Sequence, residues 1–394
     1  YLLFSLFGSV VFLPIASFVD GLFEAMSGIT TTGLSVLNVK HLPYSLLFYR
    51  GYLQWIGGAG IVVLSLVMLI GPGRNAFQLY ASEYGEENLS GDVKATATLV
   101  LKVYGLLTLA CYLAFLAAGM GLFDALLHVM ATVSTGGFSG YAQSIGYYSN
   151  PAVEATVIVF MILSAIGFPS YYLLLHKGWK RFLRDHQLHV LLILIACSTL
   201  ASLSVFDWSW GKVLPALFNS TTALTTTGYS VVEASSLPNE IKFLDTLLMF
   251  IGGSVGSTAG GIKIFRLILA IMVIRWFIMR TLLPEEAKTP IKYGGHVISD
   301  YEIKLVAAFL ALYFIIVALS TLILVFSGFD ISDSLFESAS ALGTVGLSTG
   351  ITSSQLGGGL KILLIFNMWA GRLEILPLLL IFYPPLWARR RRSK

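Results

Sequence analysis

The sequence predicts an all-α polytopic membrane protein built from one unit used four times around a pseudo-fourfold axis. Each unit is a spanning helix, a re-entrant half-helix with its loop, and a second spanning helix. Three observations predict this. First, 56% of the 394 residues are hydrophobic and only 12% are charged, with a mean hydropathy of +0.81. That is more apolar surface than a soluble domain of this size can bury. Second, long apolar runs occupy about 1–18, 44–70, 97–121, 152–175, 189–206, 241–283, 303–326 and 360–387. Most reach the roughly 20 residues that a helix needs to cross ~30 Å of hydrocarbon. Third, the uncharged small-residue stretch "SASALGTVGLSTG", Ser338 to Gly350, has three relatives upstream.

The repeat emerges when these stretches are aligned without gaps. They are "DGLFEAMSGITTTGLS" from Asp20, "DALLHVMATVSTGGFS" from Asp124, "VLPALFNSTTALTTTGYS" from Val213 and "DSLFESASALGTVGLS" from Asp333. Gly33, Gly137, Gly228 and Gly346 each follow a Thr by two positions (Thr31, Thr135, Thr226, Thr344) and precede a Ser by two. Three of the four have Asp thirteen positions before the Gly, and the third has Pro215 there. An Asp at a helix start caps free backbone N–H groups. The half-helix that it opens has about ten residues, or ~15 Å, too short to cross the bilayer. It must dip in and return.

Taken in chain order, the units are 1–72, 73–188, 189–290 and 291–394, the last with a basic tail. The first opens on Tyr1 inside an apolar run, with no Met and no charged leader. That is not a signal peptide, and the expectation is a truncated N-terminus. In the third unit, Ile241 to Met279 would form a helix of nearly 60 Å, about twice the hydrocarbon thickness. Its middle, "GGSVGSTAGG" from Gly252 to Gly261, has five glycines in ten residues, each costing about 1 kcal/mol in a helix interior. A non-helical loop is expected there, inside the membrane and facing an aqueous path.

Non-helical backbone at membrane depth is tolerated where it is buried in protein or lines a watery cavity. Four such loops around one axis can offer carbonyl oxygens to a cation in place of its hydration shell. Glycine frees the backbone to aim them, and the half-helix C-termini point partial negative charge at the same place. Small residues that merely let helices pack closely would not recur in register between spanning segments. The architecture expected is therefore four helix–pore-loop–helix repeats.

At this point the sequence resembles the superfamily of K⁺ transporters, the Trk/Ktr/HKT group, and within it the TrkH-type bacterial potassium-uptake pore subunits. The residues that carry the resemblance are "SGITTTGLS", "LFYRGYLQWIGGAGI" from Leu47, "FIGGSVGSTAGGIK" from Phe250 and "NMWAGRLEILPLL" from Asn367. The resemblance implies K⁺ as the transported ion, coordinated around Thr31, Thr32 and Gly33; Thr135, Gly136 and Gly137; Thr226, Thr227 and Gly228; and Thr344, Val345 and Gly346. A glycine in all four repeats goes with potassium selectivity in this family. The resemblance also implies a homodimer in the bacterial inner membrane and a cytoplasmic nucleotide-binding regulatory ring of the TrkA/Ktr type. It implies no organic cofactor in this chain. A gated channel and a K⁺/cation symporter with Na⁺ or H⁺ share this architecture, and both stay open. Asp245 and Glu374 are the single intramembrane carboxylates that coupling could use.

A gate is expected beneath the filter, formed by Gly252, Gly253, Ser254, Gly256, Gly260, Gly261, Lys263 and Arg372. Arg372 lies near the middle of the last apolar run, where a charge is a functional hypothesis by default. It either satisfies carbonyls as a structural arginine or repels cations from the path, and one geometry serves both. Lys263 has the weaker case, since its stem can reach cytoplasmic water.

The basic residues Lys177, Lys180, Arg181 and Arg184, then Arg275, Arg280, Lys288, Lys292 and Lys304, then Arg389 to Arg392 with Lys394, cluster in alternate connections. By the positive-inside rule those connections are cytoplasmic, so the half-helices enter from outside. Such clusters meet anionic membrane lipids rather than nucleic acid. Gly252 to Gly256 fits G-x-S-x-G, but an intramembrane serine hydrolase also needs a strand-to-helix turn and a His partner. "GSTAGGIK" has Ile262 where a phosphate loop needs Lys. Cys111 and Cys197 are too few for a disulfide framework. The chain reads as a transporter, not an enzyme.

Overall fold

A computed structural model describes residues 1–70, 93–205, 208–284, 289–293 and 296–375. The first unit contains α1 (Leu2–Ser9), the half-helix α2 (Phe18–Ile29) and α3 (Tyr44–Ile70). The second contains α4 (Val93–Ala117), the half-helix α5 (Leu122–Val133) and the pair α6 (Pro151–Ala165) and α7 (Phe168–Lys177). A short helix, α8 (Trp179–Phe182), leads to the third unit: α9 (His186–Val205), the half-helix α10 (Val213–Leu224), α11 (Asn239–Ile251) and α12 (Ile264–Thr281). After a small antiparallel hairpin, Lys292–Tyr293 with His296–Val297, the fourth unit has α13 (Asp300–Phe326), the half-helix α14 (Ile331–Leu342) and α15 (Gly358–Arg372). Val100–Ala117 of α4, α9 and α13 are long and apolar enough to cross a membrane on their own. Each half-helix has 12 residues, about 18 Å, and stops part-way.

The four units close on themselves. In each, the first helix packs on its own half-helix: α1 on α2, α4 on α5, α9 on α10, α13 on α14. The second helix also packs on the half-helix of the next unit: α3 on α5, α6 on α10, α11 on α14, and α15 back on α2. That last contact joins the end of the chain to its beginning and makes the arrangement a ring. Its apolar core forms two large clusters, one uniting the second and third units and one the fourth and first.

Three expectations are corrected in detail. Asp20, Asp124 and Asp333 do not cap the half-helices but stand third in them. The N-caps are Ser17, Gly121, Lys212 and Asp330, and the Ser17 and Asp330 side chains accept backbone N–H groups. The Asp residues still favour the helix N-terminus electrostatically, and their side chains are spent on partners elsewhere. The run 152–175 is not one helix. It breaks by 88° between α6 and α7, where Ile166 is extended, Gly167 caps, and Pro169 fits a first turn. Arg372 ends a helix instead of lying in its middle, because Glu374 and Ile375 both take positive φ (58° and 50°). The Arg389–Arg392 tail, Lys394, Lys288 and the 72/73 boundary lie outside the described residues.

Candidate functional site

Each half-helix ends in the same way. The residue after the cap, Thr31, Thr135, Thr226 or Thr344, is left-handed with φ of 54°, 51°, 54° and 51°. Its N–H bonds three residues back, and the next N–H bonds five back, as in Thr31 N to Gly28 O and Thr32 N to Ser27 O. This is a Schellman turn that ordinarily wants glycine at the left-handed position. A β-branched residue there is a strained outlier, worth about 1–3 kcal/mol. Finding it four times shows that the surroundings hold it in place. The Thr31 and Thr344 hydroxyls are buried without a hydrogen-bond partner.

The four loops form a closed ring of carbonyls. Gly33, Gly137, Gly228 and Gly346 have φ of 93°, 72°, 83° and 99°, and each presses on the next loop. A Cβ on Gly33 would lie 2.2 Å from Gly136 O, on Gly137 2.1 Å from Thr227 O, on Gly228 1.9 Å from Val345 O, and on Gly346 2.2 Å from Thr32 O. Each glycine is therefore required twice, by its backbone angle and by its neighbour's oxygen. The twelve residues expected to coordinate an ion come together around this one axis.

The loop from Gly252 to Lys263 is non-helical and lies directly against the ring. Gly260 N donates to Thr226 Oγ1 at 2.6 Å, and Gly261 N donates to Gly343 O at 3.1 Å. Thr258 Oγ1 reaches Val133 O and Ser164 O, both at 3.1 Å. Arg372 Nη1 donates to Thr258 O at 2.8 Å and Nη2 to Gly57 O at 3.4 Å. Through these bonds the loop touches the second, third and fourth units directly, and Arg372 links it to the first. Its own ends are clasped by Ile262 N to Phe250 O and Ile264 N to Gly253 O, 2.8 and 3.0 Å. Lys263 is buried and donates to Ala259 O, so it turns into the loop and not toward water. Ser254 is buried, and its hydroxyl has no hydrogen-bond partner, hence no base. The serine-hydrolase alternative lacks its geometry.

Outside the ring lies a set of residues that the motif reading passed over. Nine positions before the four glycines stand Glu24, His128, Asn219 and Glu337. Three of them hold the serine that follows the loop: Ser35 Oγ to Glu24 at 2.7 Å, Ser139 Oγ to His128 Nε2 at 3.0 Å, Ser348 Oγ to Glu337 at 2.9 Å. Glu24 also accepts Val36 N and pairs with Arg50 Nε at 3.0 Å; Glu337 accepts Thr349 N and Thr352 N. These bonds turn the chain back after the ring glycine. Gln54 on α3 ties the first unit to the second loop, donating to Gly136 O at 2.5 Å and accepting Phe138 N at 3.1 Å. Lys361 pairs with Asp20 at 2.5 Å and Lys242 with Asp333 at 2.9 Å, each bridging consecutive units. The signal was in the aligned stretches, where a polar residue recurs at one offset in an otherwise apolar half-helix.

A family model described as TrkH cation transport protein matches residues 13–387. The chain belongs to the TrkH family. It is 34% identical over 386 residues to the Trk system potassium uptake protein TrkG of Escherichia coli, covering 94% of this chain and 79% of that one. With the Escherichia coli Trk system potassium uptake protein TrkH the identity is 31%, covering 95% and 80%. The crystal structure of the potassium transporter TrkH from Vibrio parahaemolyticus superposes with a TM-score of 0.86 at 29% identity, covering 98% of this chain and 83% of that one. As a TrkH-family member with this fold, the chain is a polytopic membrane transport protein.

Proposed function

We propose that this protein translocates K⁺ across the bacterial inner membrane through the ring of four loops. The single observation that carries the reading is closure: the carbonyls of Thr32, Gly136, Thr227 and Val345 each lie against a glycine of the neighbouring loop around one axis. The names of the relatives, potassium uptake proteins of the Trk system, supply the ion. Carbonyl rings replace a hydration shell when their spacing is fixed, and twofold-constrained glycines fix it. The gate is the loop Gly252–Lys263 with Arg372. Its glycines allow a change of shape without repacking side chains, and Arg372 holds the shape in which the loop abuts the ring. The pore subunit acts as a homodimer with a cytoplasmic nucleotide-binding ring, which meets the basic connections around Lys177–Arg184 and sets the gate. Purified protein in liposomes, assayed with K⁺, Rb⁺, Na⁺ and Li⁺, tests the reading. K⁺ and Rb⁺ should enter well ahead of Na⁺ and Li⁺, and equal fluxes for all four ions overturn it.

A further inference from the structure

The third unit differs from the others in one electrostatic respect. In the first unit the half-helix residue nine before the glycine meets α3 as an ion pair, Glu24 with Arg50. In the third, the residue at that position is Asn219, and it meets α11 by donating from Nδ2 to Asp245 Oδ2 at 2.7 Å. Here an acid faces only an amide. Asp245 is 0% exposed, and its Oδ1 has no hydrogen-bond partner. A carboxylate buried without a counter-charge is expensive by several kcal/mol and within a membrane is a functional candidate.

The charged groups on the elements around it are engaged elsewhere or exposed. On α11 itself, Lys242 pairs with Asp333 of α14, and Glu240 is exposed. Glu337 of α14 is committed to Ser348, Thr349 and Thr352. Lys212, the N-cap of α10, is exposed. The α9 helix offers the Ser202 hydroxyl, in one cavity wall with Ile241 of α11, and no charge in that turn.

A cavity of about 390 Å³ reaches this pair at Asn219, with Ser202, Lys212, Pro215 and Ile241 also in its wall. Ile241 lies one helical turn before Asp245. Ser202 is 1% exposed, and its hydroxyl has no hydrogen-bond partner. Pro215 stands where the other three units carry Asp, so no carboxylate fills the space. At ~30 Å³ per water the cavity admits several waters.

We propose that Asp245 with Asn219 forms a binding site for a small hard cation, a proton or Na⁺, set off the pore axis and reached from outside through this cavity. Carboxylate and hydroxyl oxygens suit such cations, and the Asn219 N–H holds the carboxylate in place. Asn219 lies in the half-helix that carries the third loop, so occupancy is linked to the ring through one rigid element. That link rests on the translocation reading; the binding site itself does not.

The test uses the purified full chain. A ligand bound only to the native state stabilises it by mass action. At fixed ionic strength with choline as the replacement ion, the melting temperature should rise with Na⁺ if the site takes Na⁺. If it takes a proton, the melting temperature should rise on acidification and ignore Na⁺. Asp245→Asn should remove whichever dependence the parent shows. A parent without either dependence, or an Asp245→Asn variant that keeps the parent's, overturns the site. Should Asp245→Asn give no folded protein, Asn219→Leu replaces it and should move the midpoint by about tenfold in cation activity; an unmoved midpoint overturns the site. Rb⁺ flux in liposomes then tests the link, since Asp245→Asn should transport Rb⁺ without the parent's Na⁺ or pH dependence. If no sample transports Rb⁺ while the melting dependence persists, the translocation reading fails and the site stands.

Discussion

Replacing Gly33 by Ser perturbs the ring at one contact whose geometry is known. The backbone there has φ of 93°, and an added Cβ would lie 2.2 Å from Gly136 O in the next loop. An L-residue at such a φ costs about 1–2 kcal/mol, a strain that a protein of ordinary stability survives. The contact is the larger matter. Carbon and oxygen do not pack much closer than about 3.2 Å, so the Gly136 carbonyl must retreat by roughly 1 Å. An ion–carbonyl contact is comparable with a hydrogen bond to a charged group, net about 1.5–3 kcal/mol. Weakening one contact for K⁺, while the smaller Na⁺ can shift toward the remaining oxygens, should cut the K⁺/Na⁺ preference by about tenfold or more. The assay is the ratio of Rb⁺ to Na⁺ flux in liposomes with equal amounts of folded protein. A Gly33→Ser variant that folds and keeps the parent's ratio would show that this ring does not select the ion.

If Arg372 closes the proposed gate, removing it should act on rate and leave selectivity alone. At an effective dielectric of ~20, a unit charge ~4 Å from a passing cation opposes it by about 4 kcal/mol, roughly a thousandfold in rate. Arg372→Ala should therefore raise resting K⁺ flux, and flux at or below the parent's level contradicts the barrier. Arg50 and Glu24 are 2% and 0% exposed, so Arg50→Met leaves a buried charge unpaired and should destabilise by about 3–5 kcal/mol. Adding Glu24→Gln should recover part of that in thermal melts, and parent-like melting of the single variant refutes the assignment. Gly371→Ala places a Cβ 1.8 Å from Leu342 O; it should lower stability by about 1–3 kcal/mol, read as reduced folded yield and melting temperature.

The parts of the fold legible in the sequence were those written by composition and by repetition. Apolar runs revealed the helices, and Thr-x-Gly in four registers revealed the half-helices and where they must end, because a left-handed turn leaves a backbone signature that few residues satisfy. Five glycines between Gly252 and Gly261 revealed the broken helix. What stayed hidden was set by partners far away in the chain. Asp20 resembles a cap until Lys361 is found beside it at 2.5 Å, at the other end of the sequence. The bend after Ala165 follows the Gly252–Lys263 loop, since Phe168 N donates to Gly256 O at 2.9 Å and Ser254 N to Ala165 O at 3.0 Å. Neither contact leaves a local trace.

The repeat is strict where the four loops touch one another and loose everywhere else, and the physical reason differs between the two places. At the ring each glycine answers to its neighbour's carbonyl, so a change in any one unit displaces the next. Nine residues earlier the constraint is only that something polar hold the returning chain. Glutamate does this with three backbone or hydroxyl donors, histidine with one ring nitrogen, and asparagine leaves the task to other groups, Ser144 Oγ accepting Ser230 N at 3.3 Å. Freed of that task, Asn219 turns to Asp245. The third unit also contributes the Gly252–Lys263 loop, between α11 and α12, so a single unit carries the buried uncompensated carboxylate and the segment that abuts the ring. Asp245 stands seven residues before Gly252 on one uninterrupted helix. A change of charge at one end of that helix is therefore connected, by rigid backbone alone, to the clasp at its other end.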